Sequence, residues 1–146
     1  MVRIVCSFVE AMPSDPIGFE LGNIEFRGPS SVVTSASKTP NQSMMLILSI
    51  VELLDGTRRF LSTPKLDEYR FTGVDSSFTV VFRKVSNNQI AIDGSMGQID
   101  VVAPSQLKTE IENSVLEFAH KNDLEKWMSV AETDDFRNSL KRFQSF

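Results

Sequence analysis

The chain has one histidine, His120, and one cysteine, Cys6, in 146 residues. A lone cysteine excludes an internal disulfide and fits a reducing compartment. Zinc sites draw on several Cys and His at short spacing, whereas these two stand 114 positions apart. The nucleophile-elbow pattern G-x-S-x-G does not occur, so His120 has no serine partner to read as a catalytic pair. Glycine is scarce too, and its one close pair, Gly94-Ser95-Met96-Gly97, lies between two strand-like runs. A phosphate loop runs from strand to helix, so this segment is expected to be a hairpin turn. Long apolar runs are also missing. The most apolar stretch, Met44 to Leu54, contains Ser49 and Glu52 and falls far short of the ~20 residues that span a bilayer. The N-terminal run is broken by Ser7 and Glu10 and lacks the character of a signal peptide, so a cytoplasmic protein is expected.

Eleven phenylalanines against one Trp and one Tyr supply bulky core material with few polar handles. The length suits one domain, 1–146, with 41% hydrophobic and 23% charged residues. The net charge of −4 argues against duplex nucleic acid, which is bound by neutralising phosphates. The acids are concentrated. From Pro104 to Phe136, eight carboxylates oppose three lysines, a net of −5. Such a run forms a solvated helix face or a surface that steers a basic partner.

Periodicity gives the element order. Val2, Ile4 and Cys6 alternate with Arg3, Val5 and Ser7, which places Cys6 in a strand as a small core residue. Phe19 and Leu21, then Ile24 and Phe26 after Gly22-Asn23, form a second alternating set, and Val32-Val33 suggests a short third strand. Ser35 to Ser43 is polar, contains Pro40 and reads as a loop. Ser43 is a candidate N-cap for a helix carrying Ile47, Ile50, Val51, Leu54 and Leu61, with Gly56 as its weak point and Pro64 beyond its end. Four alternating runs follow, around Tyr69/Phe71, Phe78/Val80/Phe82, Ile90/Ile92 and Ile99/Val101. Turns are expected at Gly73-Val74-Asp75, Asn87-Asn88 and Asp93-Gly94. Pro104 suits the first turn of a second helix, with Leu107, Ile111, Val115 and Phe118 on one stripe and His120 exposed at its C-terminus. Asp123 can cap a short helix containing Trp127, and Thr133 another with Phe136, Leu140 and Phe143. The expected fold is α+β: strands, helix, a four-stranded antiparallel meander, helix and helical tail, with helices packed on the sheets.

Two stretches, Ser49 to Gly56 and Tyr69 to Phe78, resemble small bacterial proteins of the kind that provide immunity in contact-dependent inhibition and other polymorphic toxin systems. The resemblance in element order extends from Ser49 to Phe143 and implies a binding protein without catalytic residues. It implies occlusion of a cognate toxin, a basic nuclease domain being a typical target. No motif carries binding residues across. Charge nominates Glu110, Glu117, Asp123 and Glu125 for the partner, and Trp127 is nominated as an aromatic anchor. No cofactor, metal, membrane or nucleic acid enters this reading. The element order also looks like the Whirly class of single-stranded DNA-binding proteins, although their sheet-borne binding motif has no match here. That gives a nucleic-acid alternative resting on Arg58, Arg59, Phe60 and Lys65, with Arg83-Lys84 as a second basic spot. An enzyme of unknown class is the remaining alternative.

Overall fold

The alternation at the N-terminus produces strand β1 (Arg3–Phe8), in which Ile4 and Cys6 face inward and Arg3, Val5 and Ser7 outward. It pairs antiparallel with β2 (Leu21–Arg27), which pairs in turn with β3 (Val32–Thr34) and with the two-residue β4 (Met44–Met45). A 17-residue helix, α1 (Leu46–Ser62), follows. The second sheet is the expected meander: β5 (Glu68–Thr72), β6 (Thr79–Ser86), β7 (Gln89–Gly94) and β8 (Gly97–Val102), each antiparallel to the next. Helices α2 (Pro104–Lys121) and α3 (Ala131–Ser145) complete the chain. This computed structural model describes residues 1–10, 17–36, 39–124 and 131–146. The fold is α+β, two antiparallel sheets of four strands each with helices packed against them.

The plan of four strands and a helix occurs twice, but the helices are exchanged. Helix α2 of the second half packs along β1 of the first, while α1 lies against β5. One hydrophobic core therefore runs through both halves, from Val2 and Phe26 through Phe60 and Phe82 to Phe118 and Phe143. Phe82 is its hub. Its ring stands 6.1 Å from that of Phe26, 6.5 Å from Phe60 and 5.9 Å from Tyr69. Offset and edge-on contacts of this kind add to the burial of each ring.

Four local expectations need correction. Strand β2 runs straight through Gly22-Asn23, so Gly22, Ile24 and Phe26 share the inner face. Leu21 then falls on the outer face and is 48% exposed, and Phe19, ahead of the strand, is 45% exposed. Glycine is required at 22 because a Cβ there would meet Leu46 Cδ2 at 2.4 Å and the Ser7 carbonyl oxygen at 2.7 Å. Ser43 does not cap α1. Its hydroxyl donates to Asn23 Oδ1 (3.0 Å), which also accepts from buried Ser35 (2.8 Å), and this polar knot ties the β3–β4 connection to β2. The first turn of α1 is met by the chain instead: Leu46 N–H donates to the Glu20 carbonyl, and Ser49 Oγ accepts from Val74 N–H. The last hairpin turns at Ser95-Met96, with Gly94 opposite Gly97 in register, rather than at Asp93-Gly94. Thr133 lies inside α3, because Ala131 and Glu132 are already helical; its hydroxyl is buried without a hydrogen-bond partner.

Gly56, expected to weaken α1, has a packing role. A Cβ there would sit 2.1 Å from the Tyr69 hydroxyl oxygen, whose O–H donates to the Glu52 carbonyl at 2.9 Å. The glycine lets a sheet side chain reach the helix backbone. The clasp between α1 and β5 thus outweighs the propensity cost of about 1 kcal/mol.

Candidate interaction surface

Helix α2 begins as Pro104 predicts. Ala103 is the N-cap residue, and its N–H donates to Gln106 Oε1 at 2.8 Å. The apolar stripe Leu107, Ile111, Val115 and Phe118 is fully inside. Phe118 stacks at 5.3 Å on Phe8 and at 6.4 Å on Phe136, which fixes the helix beside the end of β1. The helix and β1 run in the same direction: Glu110 lies level with Ile4, and Lys121 with Cys6 to Glu10.

This placement divides the nominated acids. Glu110 is half-buried, and its carboxylate accepts the Ile4 N–H at 2.9 Å. Ile4 lies on the unpaired side of β1, where its N–H points away from β2, so Glu110 closes the sheet edge. Glu117, seven residues on along the same side of α2, is exposed. It lines a crevice of about 30 Å³ with Val5, Cys6, Ser114 and Lys121. That crevice opens past Cys6 and Lys121 into a shallow groove of about 310 Å³ along Ser7 to Glu10, closed by Asn122. Asp123 follows Asn122, is exposed, and has φ +50°, a left-handed conformation that Asp tolerates better than most residues. Glu125 and Trp127 lie outside the described residues. The structure therefore brings Glu117 and Asp123 to one end of α2 and gives Glu110 to the fold.

Sequence reasoning missed the apolar part of this surface. Val5 (42% exposed) and Val9 (53%) project from the outer face of β1. Leu21 stands opposite Val9, whose N–H donates to the Leu21 carbonyl at 3.1 Å. Glu10 adds a carboxylate at the groove's far end. The signal was present in the phase of β2, since placing Gly22 on the inner face turns Leu21 outward beside Val9.

Cys6 faces inward, and burial pushes its thiol up to about 12, so it is a protonated core group rather than a nucleophile at neutral pH. His120 is exposed on the last turn of α2, as expected. The basic spots have structural partners. Lys84 Nζ donates to the Thr63 carbonyl at 3.0 Å and lies 4.8 Å over the Phe60 ring, and Arg83 pairs with Asp93 at 3.1 Å. Phe78, Val80 and Phe82 are core residues, as their shared phase predicts. A larger concavity of about 430 Å³ lies between Pro64, Lys84 to Asn87, and Pro104, and no cluster of titratable groups converges there. Among the described residues, no three or more His, Cys, Asp or Glu are grouped to hold a metal ion, and no helix is long and apolar enough to cross a membrane.

Comparison with protein families, with curated proteins and with solved structures finds no match to this chain.

Proposed function

We propose that the protein is a cytoplasmic binding protein that neutralises a cognate toxin, and that it does so with the surface at the junction of β1 and the end of α2. One observation carries the reading: an exposed apolar strip, Val5, Val9 and Leu21, borders a groove whose rim carries Glu10, Glu117 and, beyond Asn122, Asp123. An apolar centre with a charged rim is the usual anatomy of a protein interface. The groove is too shallow to enclose a small ligand, and it suits a protruding side chain or loop of a protein. A basic toxin domain presenting the Lys or Arg of its substrate site would meet the acids first, which speeds encounter. Apolar contact would then set the off-rate.

Lys121 is the one cation among the groove-lining residues. Charge steering therefore has a signed test. Tagged protein is used to recover the partner from the native cells after nuclease treatment, and binding is then measured across salt. Glu117→Lys with Asp123→Lys should slow association about tenfold and flatten its salt dependence, whereas Lys121→Ala should accelerate it. Unchanged association and salt dependence in both variants would remove this surface from the mechanism.

A further inference from the structure

Strand β5 stands at the edge of the second sheet, and its outer side has nothing against it. The pairs Tyr69–Phe82 and Phe71–Val80 are in phase with the bonds from Gly73 N–H to the Phe78 carbonyl and from Lys84 N–H to the Asp67 carbonyl. Odd-numbered residues of β5 therefore bond to β6, and the N–H and C=O of Glu68, Arg70 and Thr72 point away from the sheet. None of these three residues has a backbone partner. By contrast, β1 has Glu110 over its edge. An unpaired row of this kind is a template for another strand.

The side chains on that row specify which strand. Glu68 and Arg70 project from the same outer face, both are exposed, and neither has an ion-pair partner. We infer that β5 pairs antiparallel with β5 of a second copy of this chain, about a two-fold axis at Tyr69. In that register each Glu68 stands directly opposite Arg70 of the other copy. The two outward-pointing residues exchange both backbone bonds, as a hydrogen-bonded antiparallel pair does. Directly opposed side chains have Cβ atoms about 5 Å apart, within reach of a carboxylate–guanidinium contact. Shifting the axis to Arg70 would put Arg70 against itself, and shifting it to Phe71 would leave Glu68 without a cation, so charge selects one register. Leu66, 41% exposed, comes opposite Thr72 of the other copy and gains cover. The two meanders then form one continuous sheet. This pairing uses no residue of the groove at β1 and α2, so it stands or falls independently of the toxin reading.

The test is sedimentation velocity from about 1 µM to 1 mM, with amide exchange at the same concentrations. The protein should be a dimer at the upper end, and the Glu68, Arg70 and Thr72 amides should slow as it forms. Glu68→Arg or Arg70→Glu alone places like charges opposite each other twice and should weaken the dimer roughly ten- to thirtyfold. The double variant restores opposite charges in the same register and should recover it. Mixing the two single variants should give a mixed dimer, which also shows that each is folded. A monomer at every concentration overturns the inference. So does a dimer that the single reversals leave intact, or one that the double variant does not restore.

Discussion

The two sheets have the same number of strands and the same antiparallel sense, but they are held together differently. The second sheet is local: β5 to β8 follow one another through short turns, and every strand pairs with its neighbour in sequence. The first is assembled from pieces. A three-residue β3 and a two-residue β4 both pair with β2, and the open edge of β1 is closed by a carboxylate from α2, 106 residues away. A meander can specify itself through alternation and turn chemistry. A sheet of short strands needs helices from elsewhere, and here the exchanged helix α2 supplies what the first sheet lacks.

If the halves are bound into one cooperative unit by that exchange, damage at the shared hub must reach both sheets. Phe82 belongs to the local sheet but touches Phe26 of the other and Phe60 of α1, and it is fully buried. Phe82→Ala should cost about 3–5 kcal/mol, the usual range for removing a core aromatic ring. In urea titrations the midpoint should fall in a single transition. Amide exchange in β2 and in β6 should accelerate together. Acceleration confined to β5–β8 would mean that the first sheet is stabilised separately, and the comparison would have to be redrawn.

The same contrast sets what the sequence could reveal. Sheet alternation in β5 to β8, the Asn87-Asn88 turn and the Pro104 helix start are local signals, and each is where periodicity places it. Leu21, Ser43 and Thr133 were misplaced because their surroundings are made by distant segments. Asn23 draws Ser43 away from a capping role, Leu46 packs over Gly22, and Thr133 is held in a buried helix face. The candidate surface was half legible. Net charge pointed to the end of α2, but charge alone does not distinguish Glu117, which faces solvent, from Glu110, which faces a strand edge 106 residues earlier.

That pair of glutamates gives the next experiment. Glu110→Ala leaves the half-buried Ile4 N–H without its acceptor and should cost about 1–2 kcal/mol. Exchange of the Ile4 amide should rise more than that of amides in β6. Glu110→Gln keeps an acceptor oxygen and should recover most of the loss. Glu117→Ala, at an exposed site, should change stability by less than about 0.5 kcal/mol. Equal losses from Glu110→Ala and Glu117→Ala would show that the first sheet does not depend on this carboxylate.

The smallest effect separates the sheets by pH, because each has one acid group whose ionisation burial opposes. In the first sheet burial raises the Cys6 thiol from 9.0 to about 12. In the second, the Tyr69 phenol is held well above its usual 10.0, first by burial and then by the nearby Glu52 carboxylate. Both groups keep their protons in the native state at pH values where the unfolded chain has released them. Native stability is therefore whole below pH 9 and falls as pH rises, first through Cys6 and above pH 10 through Tyr69 as well. One group contributes at most about 1.4 kcal/mol per pH unit. Urea midpoints at pH 8, 9, 10 and 11 should decline in the wild type. Cys6→Ala should start lower at every pH because it loses packing, yet decline less between pH 9 and 10. Parallel curves for the two proteins would show that the thiol is solvated enough to ionise normally, and that the inner face of β1 is looser than that of the meander.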